Sequence, residues 1–318
     1  MKAVILSGGA GTRLKAISGG LPKPMMPLLG KPLLEHIVAL LRSQGMTQLC
    51  LTLCHQPETI VQHFGDGSAF GVSITYRRET TPLGTAGAVK NCADFIGQEP
   101  VLVMSGDCAC DYDLTELTDN HQAGVSIALA AHSEPLAYGL VVTDQTGRIT
   151  GFLEKPAWEK VVTDHVSTGI YVLSPEVLEK IPTDRPCDFA RDLFPRLLRE
   201  GVPMTGRTMA GYWCDIGTPR AYYQCNLDAL DGLYPLPEGT ITPRRIVPCA
   251  DRAWLMGALS QTLVAFGADF TDGLTIESDL GHAHLAPMPG RSALVLEGDG
   301  PVVRKLEAYA RRLEQEKR

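Results

Sequence analysis

Aromatic residues are scarce in this 318-residue sequence, at 6%, and no apolar run is long enough to span a bilayer. There is no low-complexity tract, so the chain reads as an ordinary globular protein. Positive charge is not in excess: 29 Lys and Arg stand against 36 Asp and Glu, a formal net charge of −7. Such a balance leaves no electrostatic footprint for nucleic acid, and neither nucleic acid nor a membrane is expected as a partner. A small anion is not excluded, because a few local cations and helix N-termini suffice to bind phosphate. Paired cysteine spacings are also missing. Cys50 and Cys54 lie four apart and Cys108 and Cys110 flank Ala109, so none of the nine cysteines forms the C-x-x-C spacing of a zinc or redox site. Reduced thiols, several of them buried, are expected. The apolar opening is too short for a signal peptide and ends in glycines, which makes the cytoplasm the expected location.

What the sequence does contain is alternation. Residues 2–7 read as a buried strand followed by a glycine loop, and residues 32–44 as a helix whose apolar face carries Leu33, Leu34, Ile37, Val38, Leu40 and Leu41. Strands at 48–53, 72–76 and 101–104 alternate with helices at 57–64 and 87–95. This predicts an α/β fold, a doubly wound Rossmann-like sheet covered on both faces. Ligands in such sheets sit beyond the carboxyl ends of the strands. The segments 125–131, 139–143, 149–154 and 168–173 are strand-like with tight connections, which makes the sheet mixed. A proline- and glycine-rich stretch then marks a boundary, giving a first domain at 1–233, a linker at 234–249 and a small α+β domain at 250–318. Within that last domain the pattern predicts a helix at 251–266, strands at 274–278, 283–287 and 293–297, and an amphipathic helix at 302–316 with Val303, Leu306, Tyr309, Ala310 and Leu313 on one face.

The glycine loop is Gly8-Gly9-Ala10-Gly11-Thr12-Arg13-Leu14. Its glycines let backbone N–H groups close on an anion, although a tight turn would need glycine too. It is not a Walker A loop, which requires Lys after the last glycine, nor a dinucleotide fingerprint, which would place glycine at Leu14. Ten residues beyond Arg13 stands Lys23, held between Pro22 and Pro24, a rigid setting for a mere surface charge. An arginine and a lysine beside a glycine nest suit a triphosphate whose pyrophosphate must leave.

With these residues in hand, the chain resembles the sugar-phosphate nucleotidyltransferases, or nucleotide-sugar pyrophosphorylases, over roughly residues 1–233. The glycine loop with Pro22-Lys23-Pro24 is the first matching motif, although many members carry proline where Lys15-Ala16 stand here. The second is Pro82-Leu83-Gly84-Thr85-Ala86-Gly87-Ala88, the third Ser105-Gly106-Asp107, and the fourth Phe152-Leu153-Glu154-Lys155-Pro156. Gly211-Tyr212-Trp213-Cys214-Asp215-Ile216-Gly217 supplies a further match. The resemblance implies nucleotide contacts from Leu6, Gly8, Gly9, Gly11, Thr12, Gly84, Thr85 and Ala86, and catalytic charges on Arg13, Lys23 and Lys155. It implies a Mg²⁺ site at Asp107 and Asp215, with Asp111 and Asp113 as nearby turn or cap carboxylates. Sugar-phosphate contacts fall to Gly139, Glu154, Lys155, Ser167 and Thr168, Ser167 replacing the family's usual asparagine.

The implied reaction joins a nucleoside triphosphate to a sugar-1-phosphate, giving a nucleoside diphosphate sugar and pyrophosphate. The attacking phosphate oxygen is already ionised at neutral pH, so no general base is required, and the eight histidines receive no role. The motif wording looks most like the mannose-1-phosphate guanylyltransferases, with UTP- or dTTP-dependent glucose-1-phosphate enzymes as the alternative. A non-catalytic, nucleotide-sugar-binding regulatory subunit is the rival from another class, but it would be expected to have lost part of the charged set. Residues 250–318 resemble the last domain of phosphohexomutases through Asp272-Gly273-Leu274 and Pro287-Met288-Pro289-Gly290-Arg291-Ser292. They lack the rest of the mutase machinery, so packing, regulation or homo-oligomer contacts are the expected role.

Overall fold

In the computed structural model the described residues are 1–9, 11–154, 157, 159, 161–230, 233–236, 245–263, 274–278, 281–287, 293–298 and 300–317. The chain divides into two units, Met1–Asn226 and Leu227–Arg318. Lys155, Ala10 and residues 272–273 and 288–292 lie outside the described residues.

The first unit is built on a nine-stranded mixed sheet. In chain order its strands are β1 (Lys2–Leu6), β2 (Gln48–Leu53), β3 (Ser73–Arg78), β4 (Val101–Ser105), β5 (Val125–Ala131), β6 (Gly139–Thr143), β7 (Ile149–Glu154), β8 (His165–Leu173) and β9 (Met204–Thr208). They run β7-β6-β8-β4-β1-β2-β3 across the sheet, while β5 pairs with β8 and β9 with β5. Strands β4, β1, β2 and β3 are mutually parallel, and β8 enters antiparallel to β4. This is the doubly wound, mixed arrangement that the alternating pattern predicts. Val4, Val101 and Val103 face a core that includes Ala86, Val89, Cys92 and Ile96. Their neighbours Ala3, Ile5, Leu102 and Met104 are also completely buried, on the opposite sheet face. A strand buried on both sides must be apolar at successive positions, which is why residues 3–6 read as a continuous run.

Several boundaries differ from the sequence pattern. The helix expected at 87–95 is instead α1 (Gly84–Lys90) followed by the short helix Ala93–Ile96. Its start moves to Gly84 because the carbonyl of Cys187, remote in sequence, accepts from Ala86 N at 2.9 Å and from Gly87 N at 3.1 Å. That partner satisfies N–H groups that a helix start leaves open. Strand β9 carries Met-Thr-Gly-Arg-Thr, with no apolar alternation, and only its pairing along β5 makes it a strand. A two-stranded ladder joins Cys108–Cys110 to Trp213–Asp215, pairing Asp215 with Cys108 across the two strands.

The second unit has a four-stranded antiparallel sheet in the order Arg245–Pro248, Ala293–Gly298, Gly281–Pro287, Leu274–Ser278. The first of these lies within the stretch whose prolines suggested a linker. Helices Arg252–Leu263 and Gly300–Lys317 complete a separate core with Val247, Leu255, Leu285, Leu296 and Ala310. Val303 and Leu306 belong to it, and Tyr309 and Leu313 pack against it, as the amphipathic pattern predicts. Among the described residues no helix is long and apolar enough to cross a membrane.

Gly84 holds φ at +75°, and a Cβ there would lie 2.5 Å from the Cys187 carbonyl oxygen. Left-handed backbone and a rigid backbone neighbour both exclude a side chain. Gly84→Ala is therefore expected to lose about 2 kcal/mol of stability in urea unfolding, within the range of strained backbone positions.

Candidate active site

Parallel strands β1 to β4 end on the same edge of the sheet. Because β2 and β4 flank β1 on opposite sides, the chain reverses its winding direction there, and a crevice opens beyond the strand ends. A cleft of about 510 Å³ occupies it. Leu6 ends β1 and Gly8 and Gly9 follow it, Thr52 lies near the end of β2 with Cys54 and His55 beyond, and Ser105 ends β4 ahead of Asp107. Glu79 follows the end of β3, Pro82 leads into α1, and Gly84, Thr85 and Ala88 lie on that helix.

Lys23 projects into the cleft between two carboxylates. Its Nζ lies 2.5 Å from Asp107 Oδ2 and 3.0 Å from Asp215 Oδ1. Pro22, extended at φ −64° and ψ 147°, leads into the 3₁₀ turn Lys23–Met25, and Lys23 is 8% exposed. Gly11, at φ +56°, lets the glycine loop pack on the lysine stem: a Cβ there would meet Lys23 Cβ at 3.1 Å. Burial alone would lower the Lys23 pKa, but the charges and hydrogen bonds of Asp107 and Asp215 outweigh it and leave it above 10.5. The lysine is a cation throughout the physiological range.

The two-stranded ladder delivers Asp215 to this point. Ile216 N donates to Asp107 O at 3.2 Å, so the two aspartate-bearing segments are joined at the backbone as well. Asp111 secures the far end by accepting from Tyr212 N at 2.6 Å, and Asp113 accepts from Thr115 N at 3.1 Å. Arg13 approaches from the glycine loop: a Cβ on Gly217 would be 3.0 Å from its Nη2 and 3.0 Å from Asp215 Oδ2. Among the described residues no group of three or more His, Cys, Asp or Glu side chains is placed to hold a metal ion by itself. The donor set is therefore two carboxylates converging on an ammonium, which stands where a cation between them belongs. Oxygen donors of this number fit Mg²⁺, which takes one or two carboxylates and completes its shell with phosphate oxygens and water.

The sequence-predicted residues divide into groups. Leu6, Gly8, Gly9, Lys23, Gly84, Thr85 and Asp107 line the cleft. Gly11 and Thr12 shape the turn behind it. Ala86 is fully buried and commits its N–H to Cys187. Gly139, Glu154 and Ser167 come together with Phe152, Ala190 and Phe194 around a second, shallow pocket whose enclosed space is about 10 Å³. Thr168 is 3% exposed, and its hydroxyl donates to Ala128 O at 2.7 Å rather than facing that pocket. Tyr138 stands between the two regions, its ring 5.3 Å from that of Trp213; burial, then the charge of Asp215, pushes its pKa up to about 12.

Glu79 was not singled out by any motif. Its Oε2 accepts from Leu83 N at 3.0 Å, and a Cβ on Gly8 would lie 3.2 Å from Oε1. Burial raises its pKa, and the Leu83 N–H works against that rise. The available signal was positional: a carboxylate directly after a parallel strand of a doubly wound sheet stands at the ligand edge.

Burial raises the Asp215 carboxyl above its ordinary 3.8, and the charge of Asp107 adds to the rise; Lys23 and Arg13 oppose it without cancelling it. A folded pKa above the unfolded one means that the native state binds more protons, so stability falls as pH rises through and beyond 3.8. Asp215→Asn is accordingly expected to unfold at a higher temperature than the parent at pH 7. The gap should close below pH 3.8, where both states of the parent are protonated, and calorimetry at the two pH values measures it.

The nucleotidyl transferase family model matches residues 2–232. A mannose-1-phosphate guanylyltransferase of Mycobacterium tuberculosis is 37% identical over 239 residues, 74% of this chain and 66% of the relative. A UTP–glucose-1-phosphate uridylyltransferase of Synechocystis is 38% identical over 240 residues, 70% of this chain and 62% of the relative. The chain thus spans just under two thirds of each of these relatives. Among solved structures, HddC from Yersinia pseudotuberculosis complexed with GMP-PN superposes with a TM-score of 0.63 at 28% identity, covering 72% of this chain and 99% of HddC. UDP-glucose pyrophosphorylase complexed with UDP-glucose shares the fold, with a TM-score of 0.63 at 20% identity, over 73% of this chain and 98% of its own. With the family model covering well over half of its length, the chain belongs to the nucleotidyl transferase family.

Proposed function

We propose that this protein transfers a nucleotidyl group from a nucleoside triphosphate to a sugar-1-phosphate, with GTP and mannose-1-phosphate as the preferred pair. The observation that carries this reading is Lys23 held between Asp107 and Asp215 at one end of a cleft that the glycine loop borders. Cations and a divalent-metal site belong beside phosphates, so the triphosphate lies at that end and the base at the other. Arg13 and Lys23 would neutralise the departing pyrophosphate. Lys155 would bind the phosphate of the incoming sugar, with Glu154 accepting from sugar hydroxyls and Gly139 and Ser167 bordering the ring. Mg²⁺ held by Asp107 and Asp215 would withdraw charge from the phosphate oxygens when bound. The remaining work is positioning: a sugar phosphate oxygen must be brought in line with the α-phosphorus, opposite the leaving pyrophosphate.

Glu79, on the wall of the same cleft, supports guanine. An ionised carboxylate only accepts hydrogen bonds, and the Watson–Crick edge of guanine offers two adjacent donors, the ring N–H and the exocyclic amine. Uracil and thymine offer one N–H flanked by two carbonyls, which a carboxylate repels. In this reading residues 1–233 form the catalytic domain, and residues 250–318 form an accessory domain suited to contacts between copies of the chain.

Pyrophosphate release, measured with Mg²⁺ across a panel of nucleoside triphosphates and sugar-1-phosphates, tests the reaction. GTP with mannose-1-phosphate is expected to turn over fastest. Asp107→Asn should lower that rate by at least about 100-fold with an unchanged circular dichroism spectrum. Absence of turnover with every pair, alongside tight binding of nucleotide sugars, would replace this reading with a non-catalytic one. Glu79→Gln should reduce the preference for GTP over UTP by about tenfold or more, the scale of one lost two-point base contact.

A further inference from the structure

The two pockets are bridged by one short segment that no motif identified. Residues 187–194 follow the helix Pro175–Glu179 and contain a single π-helical turn, Phe189–Leu193, a conformation that is rare and concentrated at functional sites. At its start the segment is sewn to the nucleotide side. Cys187 N donates to Leu83 O at 2.8 Å, and its carbonyl accepts from Ala86 N and Gly87 N. The Thr85 hydroxyl donates to Asp188 Oδ2 at 2.9 Å and accepts from Phe189 N at 2.9 Å. Both of its hydrogen-bonding roles are thus used on this segment.

The other end of the segment belongs to the second pocket. Ala190 and Phe194 line it together with Gly139, Glu154 and Ser167. The Phe194 ring stacks on Phe152 of β7 at 5.5 Å and meets Tyr171 of β8 edge-on at 5.0 Å. The Ser167 hydroxyl donates to Tyr171 OH at 3.4 Å. Between the two ends stands Asp188. Its Oδ1 caps the π-turn by accepting from Ala190 N at 3.0 Å and Arg191 N at 3.1 Å, while its Oδ2 holds Thr85. Its own N–H donates to Asp192 Oδ2 at 2.7 Å, and its carbonyl accepts from Leu193 N at 3.0 Å.

We propose that Asp188 is a positioning residue that fixes the distance between the nucleotide pocket and the sugar-phosphate pocket, acting through Thr85 on one side and the π-turn on the other. This rests on the two-substrate reading above. One carboxylate serves both attachments, and it adds a side-chain link to the backbone bonds of Cys187 and Phe189 that already join the two walls. In-line attack demands reacting atoms about 3–3.5 Å apart, and a displacement of about 1 Å can cost about 100-fold in rate. Asp188 lines neither pocket, so it acts on the bound substrates only through the residues it holds.

The test separates turnover from binding. Asp188→Ala removes both the cap on the π-turn and the acceptor of the Thr85 hydroxyl, whereas Asp188→Asn keeps an oxygen for the cap and an amide able to donate to Thr85. For each variant, kcat is measured with GTP and mannose-1-phosphate, and calorimetric titration gives the Kd of α,β-methylene-GTP and of mannose-1-phosphate, each alone. Asp188→Ala is expected to lose at least about tenfold in kcat while each Kd stays within about threefold of the parent, and Asp188→Asn to keep kcat within about threefold. Thermal midpoints identify a variant that fails to fold, in which case Asp188→Ser, which can cap the turn but has no second oxygen for Thr85, decides on the same readouts. A kcat of the Asp188→Ala protein within twofold of the parent overturns the proposal, and so does a loss of binding that matches the loss of rate. Parental protein that binds neither ligand overturns the two-substrate reading itself.

Discussion

One buried ammonium holds the candidate site together. Lys23, lying between Asp107 and Asp215, ties three parts of the chain that are separated by 84 and 192 residues. Two carboxylates converging in a half-buried cleft are costly: burial first, and then the charge of Asp107, raise the pKa of Asp215. A cation between them is what makes the arrangement tolerable in a folded protein. The same electrostatics suit a divalent ion with phosphate oxygens, so Lys23 both supports the two carboxylates and would be a phosphate ligand in the proposed reaction. Because the buried Asp215 carboxylate costs stability, it is kept for chemistry rather than for the fold.

The rest of the first unit supplies the walls. Parallel strands on either side of β1 end at one edge, and the crevice above them is a consequence of winding the chain both ways from a central strand. The crevice is lined by Lys23 and Asp107 together with Glu79, the carboxylate to which the proposed reading gives the choice of base. The antiparallel strands β6, β7 and β8 extend the sheet past β4 and carry Gly139, Glu154 and Ser167 to a second pocket. Two ligands on one sheet can react only if their pockets keep a fixed separation. The clasp of Asp188, Thr85 and the π-turn acts on that constraint.

Much of this was legible in the residues. The apolar run at 3–6, the strand at 48–53 and the helix at 57–64 emerge where the pattern places them, because local propensity and burial agree. Lys23 was identifiable from its flanking prolines, since a lysine fixed on both sides is displayed for a purpose. Thr168 shows the opposite case: its place in a motif does not reveal that its hydroxyl is turned onto Ala128. Glu79 went unnoticed because a lone carboxylate after a strand has no spacing to recommend it. Asp188 was equally invisible, since both of its attachments are made to residues remote in sequence or to a turn that no periodicity encodes.

The sequence by itself determined the doubly wound class, the charged inventory and the family, because these depend on residue types and on the order of short motifs. The resemblance already paired Asp107 with Asp215; what only the tertiary structure decided is how they meet. The ladder Cys108–Cys110 with Trp213–Asp215 brings Asp215 beside Asp107, while Asp111 is spent on the Tyr212 N–H and Asp113 on a turn. A contact of that kind is set by strand register between distant segments, and register follows from how the whole sheet packs, which no local pattern records.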